Sequence, residues 1–428
     1  MFVAEVIPLE LVSVFVAVAV MFALVRLKVD LGLALVVEGL TIVLLSKYYL
    51  LPDVVLSTLK SDRSLSLILA ALFISTLAEL YRVSGLIKVF GDELVKFLRN
   101  PTLVLAFIPA VMGLMPIAGG AILSAPVVEV VGGSLGLSTA SMAFLNVWFR
   151  HTIFFVYPLS QNLMAAAALT NHTLTELAAY QLPLTLAMFL LGYLHIRFRS
   201  GGTNLRNSSN GNIVFSKPDV RQLLLSSAPL LTSIAVALLI KPLLDVFKVY
   251  SDYSVPIGAL VGVVVILVVN NGGGSRTRML VKALKERRVA SMVLASFGAM
   301  LTYYAIVLTG VPEVIASIIQ EVKIPMLALE LAIPGLLSLI SGSSLVGITS
   351  SIPLLTLGRS ISVSEASLMY FSAFMFYIAS PVHLCLLFTN QYFKENLMRT
   401  YRYLIPATAV MTVIAVIYFV ISSSFLGI

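Results

Sequence analysis

The chain has 428 residues, of which 59% are hydrophobic and only 11% are charged. Soluble domains carry about 25% charged residues, so the composition excludes an ordinary soluble protein. The formal net charge of +8 does not require a nucleic-acid partner, and we expect none, because the cytoplasmic loops of membrane proteins collect Lys and Arg. A single cysteine, Cys385, excludes an internal disulfide.

Apolar runs of about 20 residues, the length that crosses a bilayer, recur along the chain and predict an all-α polytopic membrane protein. The first run carries Glu5 and Glu10 and lacks both a basic start and a small-residue cleavage site. We therefore interpret it as a membrane span rather than a cleavable signal. The predicted spans lie near residues 6–25, 31–46, 64–81, 177–196, 222–243, 254–270, 289–309 and 403–424.

Two further apolar regions, 101–170 and 325–393, are interrupted by Pro, Gly and Ser. Such interruptions are tolerated at membrane depth only where the backbone is buried in protein or lines a cavity. Each region is predicted to hold a re-entrant hairpin, at about 101–130 and 325–357, followed by an interrupted transmembrane helix, at 138–170 and 362–393. Pro158 and Pro381 lie within these helices and are the predicted hinges, because proline removes an intrahelical hydrogen bond.

The two interrupted regions correspond to each other. Prolines at 101, 109, 126 and 158 recur at 325, 334, 353 and 381, with a nearly constant shift. We predict an N-terminal repeat over 1–197, a cytoplasmic linker over 198–221 and a C-terminal repeat over 222–428. The distribution of Lys and Arg places the N-terminus outside and gives the repeats opposite orientations, provided that both hairpins are re-entrant. Inverted repeats with a site between them are typical of secondary transporters.

Small and polar residues in these regions are the candidate binding groups. The glycines and serines of the hairpins would expose backbone N–H groups, although helix packing through small residues is the alternative. Arg150 is costly at membrane depth, and snorkelling towards the cytoplasm or pairing with a buried acid competes with anion binding. The predicted substrate-binding residues are Arg150, Asn146, Gly119, Gly120, Gly342, Ser343, Ser344, Gln161 and Asn162.

A second set is predicted to serve the coupling ion or proton. Histidine is the side chain that titrates near neutral pH, although a hydrogen-bonding strut is its more ordinary role in a helix bundle. Unwound peptides beside the two hinge prolines would offer carbonyl oxygens to a cation. This second set comprises His151, His383, Tyr157, Ser380 and Glu129.

Three blocks, GLMPIAGGAILSAPVVE (113–129), NVWFRHTIFFVYP (146–158) and SPVHLCLLFTNQYF (380–393), resemble the prokaryotic membrane family catalogued as domain of unknown function 401. That family is similar to the wider ion transporter superfamily, which includes sodium-coupled carboxylate carriers, gluconate permeases and arsenite carriers. The resemblance implies two inverted repeats, two re-entrant hairpins and a mobile domain that carries the site by an elevator motion, often within a dimer. The chain has Ala118-Gly119-Gly120 and Gly342-Ser343-Ser344 where carboxylate carriers resemble Ser-Asn-Thr, which leaves sodium coupling and dicarboxylate specificity open.

We expect a secondary active transporter of a small anion, an organic acid, coupled to H⁺ or Na⁺ in the plasma membrane of a prokaryote. A gated or ungated anion channel on the same scaffold is the alternative. An enzyme is not expected, because the chain has no Gly-x-Ser-Gly block and no His-x-x-x-His spacing. No cofactor and no bound metal are expected. The expected partners are the anion, its coupling ion and the lipid bilayer, and a homodimer is left open.

Overall fold

The structure is a computed structural model that describes residues 8–114, 121–200, 217–270, 275–356 and 359–425. The described residues form twenty α-helices and contain no strand. Eight helical segments are long and apolar enough to cross a membrane, so the prediction of a polytopic helical membrane protein is confirmed. Seven of these segments overlap predicted spans, and the eighth, Val363–Tyr392, is the second interrupted helix. The predicted span at 31–46 forms a shorter apolar helix of 16 residues.

The first ten helices differ in length and character in an order that the second ten repeat. Two apolar helices are followed by a short helix, a long one and an amphipathic one; then come a helix pair, an interrupted pair and a long helix. They are α1 (Leu9–Arg26), α2 (Leu31–Ser46), α3 (Leu51–Lys60), α4 (Asp62–Ser84), α5 (Leu86–Leu98), α6 (Pro101–Gly113), α7 (Ala121–Ser134), α8 (Thr139–Thr152), α9 (Gln161–Thr170) and α10 (Leu174–Arg199).

The second ten helices begin after residue 219. Capping boxes fix two helix starts in the chain, Thr173 with Glu176 before α10 and Ser362 with Glu365 before the third-to-last helix. The second ten are α11 (Val220–Val246), α12 (Ser254–Val269), α13 (Arg276–Leu284), α14 (Arg287–Thr309), α15 (Val311–Val322), α16 (Met326–Ser341), α17 (Ser344–Leu355), α18 (Val363–Ala379), α19 (Leu384–Tyr392) and α20 (Leu397–Phe425).

The helices pack as two bundles. The first bundle is built from α1–α4 and α11–α14, where α2 packs against α14 and α12 packs against α4. The second bundle is built from α6–α10 and α16–α20, where α8 packs against α6 and α20, and α18 packs against α16 and α10. Helices α9 and α17 of the second bundle contact α14 of the first, so the boundary between the bundles runs past the interrupted helices.

Glycines bring α2 and α14 of the first bundle into close contact. A Cβ on Gly298 of α14 would lie 2.8 Å from the Val36 nitrogen, and one on Gly39 of α2 would lie 2.9 Å from the Thr302 nitrogen. Backbone atoms cannot move aside as a side chain does, so both positions require glycine at this separation. Close approach through small residues is the usual way in which membrane helices pack, because lipid provides no hydrophobic drive between them.

Replacement of Gly298 by alanine should therefore destabilise the protein. We expect Gly298→Ala to cost about 1–3 kcal/mol, the range for overpacking a well-packed interior, and to lower the melting temperature in detergent. The control is Gly133→Ala in α7, where an added Cβ meets nothing within 4 Å. That change should be neutral or slightly stabilising. Equal melting temperatures for the two variants would contradict the close packing of α2 on α14.

Candidate functional site

A cavity of about 270 Å³ lies at the boundary between the two bundles. Both interrupted helices contribute to its wall, as does the turn between α16 and α17. Leu31, the first residue of α2, and Ser291, near the start of α14, place part of the wall near the basic loops that precede these helices. The wall is completed by Arg150, His151, Phe154, Ser160, Gln161, Asn162, Met292, Ala295, Gly342, Ser343, Ser344, Leu345, Phe374, Tyr377, Leu384 and Cys385.

Three helices begin at this cavity. Ser160 caps the start of α9 and accepts a hydrogen bond from the Leu163 N–H, while Ser343 caps α17 and accepts one from the Val346 N–H. Leu384 is the first residue of α19 and also lines the cavity. Each helix start carries roughly half a positive charge from the aligned peptide dipoles. Helices α8, α16 and α18 end at the same wall, and their C-terminal dipoles offset this charge. Arg150 remains as a full positive charge, and no acidic side chain occurs among the described residues of the wall, so the fixed charge favours an anion.

Arg150 has a structural partner as well as a place in the cavity wall. Its side chain is buried, and Nη1 donates a 2.8 Å hydrogen bond to the Met112 carbonyl near the end of α6. A guanidinium suits this position because a helix C-terminus carries unsatisfied carbonyls and partial negative charge. A Cβ on Gly113 would lie 2.3 Å from the Arg150 carbonyl oxygen, so α6 and α8 touch here. Arg150 therefore stabilises the end of α6 from the cavity side.

Polar contacts join the start of α9 to its neighbours. Asn162 Nδ2 donates a 3.0 Å hydrogen bond to Ser344 Oγ at the start of α17. Gln161 Nε2 donates to the Met292 carbonyl at 3.1 Å and to Ser296 Oγ at 2.9 Å, both on α14 of the first bundle. Of the predicted binding residues, Asn162 and Ser344 thus bond directly at the cavity, while Gln161 bonds to α14.

Asn146 lies away from the cavity wall and is fully engaged. Its Oδ1 accepts a 2.6 Å hydrogen bond from Ser124, and its Nδ2 donates to the Ala121 carbonyl and to Thr389 Oγ1. These bonds connect α7, α8 and α19, so the observed geometry gives Asn146 a bridging role within the second bundle.

The remaining predicted residues lie in different surroundings. Tyr157 borders a smaller cavity of about 20 Å³ that shares Phe154, Ser160, Gln161 and Met292 with the larger one. Ser380 Oγ donates to the Leu339 carbonyl at 2.6 Å. Glu129 accepts a 2.7 Å hydrogen bond from Tyr392 in an exposed position outside both cavity walls. Pro158 and Pro381 lie in the interruptions between α8 and α9 and between α18 and α19, while Gly119 and Gly120 fall outside the described residues.

Two buried groups near the site were not singled out from the sequence. Cys385 lies in the cavity wall and comes together with His151 and His383, which are 234 and 2 residues away along the chain. Glu38 of α2 is buried in the first bundle and accepts a 3.1 Å hydrogen bond from Ser350 of α17. An acid within the apolar run 31–46 is itself a sequence signal, because intramembrane acids are expensive. Cys385 gave no such signal, since cysteine is commonly buried as an apolar residue.

Gly342 allows the turn between α16 and α17 to approach the second interruption. Its φ is +65°, and a Cβ there would lie 2.7 Å from the Val382 side chain and 3.0 Å from its carbonyl oxygen. Gly85, between α4 and α5, has a similar φ of +73° with nothing within 4 Å of an added Cβ. Both glycines therefore have a backbone conformation that strains an alanine, but only at Gly342 would an added Cβ also meet a neighbouring residue.

We expect Gly342→Ala to destabilise the protein more than Gly85→Ala. The left-handed conformation alone costs alanine about 1–2 kcal/mol, which both variants share. Only Gly342→Ala adds a clash with Val382, so its melting temperature in detergent should be the lower of the two. A melting temperature for Gly342→Ala at or above that of Gly85→Ala would show that the turn does not contact the interruption.

Comparison with known proteins gives one family. The sequence model of the family described as "Protein of unknown function (DUF401)" matches residues 9–421, nearly the whole chain. No curated protein matches the chain.

Proposed function

The chain belongs to the DUF401 family, and we propose that it is a secondary active transporter of a small anion, an organic acid, coupled to H⁺ or Na⁺ in a prokaryotic plasma membrane. The observation that carries this proposal is the charge of the cavity. One buried arginine, three helix starts and several hydroxyl and amide groups converge there, and none of its described wall residues is acidic. Such a site stabilises a carboxylate or another oxyanion.

The order of the helices supports two inverted repeats. Helices α1–α10 and α11–α20 follow the same sequence of long, short, amphipathic, paired and interrupted helices. Contacts between the halves are also reciprocal: α2 packs on α14 while α12 packs on α4, and α7 packs on α19 while α17 packs on α9. Reciprocal contacts are what a pseudo-two-fold axis between two repeats produces.

The bundle boundary supports an elevator motion. The first bundle is the proposed scaffold, and the second is the proposed mobile part that carries both interrupted helices. Polar contacts cross the boundary, such as Gln161 with Ser296, and the Arg63 guanidinium with the Ala168 carbonyl and Asn171. Apolar side chains such as Val346 also pack across it. Because part of the cavity wall lies near the basic loops before α2 and α14, we assign the observed conformation to the inward-facing state.

An acid at the same boundary offers a route for proton coupling. Glu38 belongs to the proposed scaffold, whereas its partner Ser350 belongs to the proposed mobile part. Movement of one bundle past the other would break this bond and change the solvation of the carboxyl group. Glu38 therefore joins His151 and His383 as a candidate proton carrier, and Na⁺ coupling through backbone carbonyls is the competing case.

The alternative function is an anion channel or facilitator on the same scaffold. A channel would pass the anion down its gradient without counterflow, whereas a coupled carrier would exchange labelled for unlabelled anion and follow an imposed H⁺ or Na⁺ gradient. A screen of the purified protein against mono- and dicarboxylates by thermal shift, with and without Na⁺, identifies the anion for these measurements.

Arg150 gives the direct test of the anion site in proteoliposomes. We expect Arg150→Gln to lower saturable uptake of the identified anion by about 10- to 100-fold, the effect of losing one hydrogen bond to a charged group. Arg150→Lys keeps the charge and should retain part of the uptake. Arg221→Gln, at the exposed start of α11, is the control and should transport normally.

Melting temperatures separate the two roles of Arg150. Its bond to Met112 predicts some loss of stability for Arg150→Gln, so uptake is compared only among variants that remain monodisperse. A folded Arg150→Gln protein with unchanged uptake would remove Arg150 from the substrate site.

Inverted topology is tested with a matched pair of labels. Lys60, at the end of α3, and Lys285, just after α13, are exposed and occupy corresponding places in the two halves. In a Cys385→Ser background, Lys60→Cys should react with a membrane-impermeant maleimide on intact cells. Lys285→Cys should react only after permeabilisation. Labelling of both positions from the same side would contradict the inverted repeat.

A further inference from the structure

Three metal-ligating side chains meet where the two interrupted helices come together. His151 lies in the last turn of α8, His383 immediately precedes α19, and Cys385 lies in its first turn. One ligand atom from each lies within 4.8 Å of the others, and all three residues are buried. The imidazole rings of His151 and His383 meet edge to face with their centroids 4.8 Å apart.

Backbone contacts fix how the two histidines present their nitrogens. His151 Nδ1 lies 2.7 Å from the Val147 carbonyl, and His383 Nδ1 lies 3.4 Å from the Ile378 carbonyl. A carbonyl oxygen only accepts, so in each ring Nδ1 carries the hydrogen and the neutral ring has its lone pair on Nε2. An imidazole that donates from one nitrogen to a carbonyl and ligates through the other is the usual arrangement around a protein-bound metal.

His383 Nε2 has no hydrogen-bond partner among the described residues, although the side chain is fully buried. A buried polar atom left unpaired costs about 1–3 kcal/mol, so this nitrogen calls for a ligand. Aromatic rings pack against both histidines: the Tyr377 ring centroid lies 4.1 Å from that of His383, and Phe154 packs against His151.

We propose that His151, His383 and Cys385 form a binding site for one soft d¹⁰ metal ion, and that the ion is Cu⁺. One thiolate and two imidazoles select soft or borderline metals, whereas Mg²⁺ and Ca²⁺ require oxygen ligands. Cu⁺ and one thiolate carry no net charge together, and three ligands complete a trigonal site.

Zn²⁺ fits the same ligands less well, for reasons of charge. With one thiolate it would leave a positive charge in a wall that already contains Arg150. Zn²⁺ would also require a fourth ligand. His151 and Cys385 both line the cavity, so that ligand would be a water or an anion from the cavity.

Only a small movement is needed to bind the ion. Metal–ligand bonds of roughly 2.0–2.3 Å place the ligand atoms of one ion about 3.5 Å apart. Atoms within 4.8 Å of one another therefore need to approach by roughly 1 Å. His383 lies just before α19, where its N–H donates to the Ser380 carbonyl and its own carbonyl accepts from the Leu387 N–H.

The test is metal binding by the purified full-length protein under anaerobic conditions. Cu⁺ is supplied with ascorbate and titrated against the chelator bicinchoninate, and Zn²⁺ is titrated in a parallel arm against a zinc indicator. We expect one Cu⁺ per chain, with a near-ultraviolet thiolate-to-copper absorption band and one sulfur and two nitrogen neighbours by X-ray absorption. Binding should also slow alkylation of the single cysteine by N-ethylmaleimide.

Cys385→Ser and His383→Gln should each weaken Cu⁺ binding by at least about tenfold, a loss that even outer-shell changes cause at metal sites. The controls are His195→Gln and His172→Gln, at the two histidines outside the cluster, and they should bind as the parent does. Binding that survives Cys385→Ser or His383→Gln, or the absence of both Cu⁺ and Zn²⁺ binding in the parent protein, overturns the site. Zn²⁺ binding without Cu⁺ binding overturns the choice of ion. None of these measurements depends on transport.

Discussion

The constraint on which the rest of this structure depends is the satisfaction of backbone groups where two helices are interrupted. Hydrocarbon offers no partners to an unpaired peptide group, so each interruption must be completed by the protein. At the first, Tyr370 donates from its hydroxyl to the Phe154 carbonyl. At the second, Tyr401 donates to the Ala379 carbonyl. Each interruption thus takes a tyrosine from a neighbouring helix, which fixes the second bundle around the cavity.

The hydrogen bonds of the backbone carbonyls at the interruptions also limit where a coupling cation would bind. The Tyr157 carbonyl accepts from the Ser160 N–H, and the Ser380 carbonyl accepts from the His383 N–H. Carbonyls expected to be available for a cation are therefore already bonded in this conformation. Since a carbonyl oxygen has two lone pairs, Na⁺ coupling survives as a proposal. Proton coupling through Glu38, His151 or His383 requires no such additional bond to a carbonyl that is already paired.

Hydropathy and proline positions predicted the helices well because length and helix breaking are local properties. Seven predicted spans became long helices, and both hinge prolines lie in interruptions.

Side-chain partners were harder to predict. Asn146 and Arg150 were both predicted to bind the substrate, yet Asn146 bridges three helices, and Arg150 reaches the end of α6. Such contacts depend on how distant segments pack, which one sequence does not reveal. Cys385 was missed for the same reason, because its two histidine neighbours lie on both interrupted helices.

Alignment of the two halves on Pro158 and Pro381 shows which residues make the two sides of the cavity chemically different. Ser160 and Asn162 of the first half then correspond to His383 and Cys385 of the second, at the same distances from the prolines. Both interruptions direct their following turns to one region, one with hydroxyl and amide groups and the other with imidazole and thiol. Oxygen and amide groups beside Arg150 suit an oxyanion, whereas sulfur and imidazole suit a proton or a soft metal. The two interruptions therefore give one cavity two chemistries.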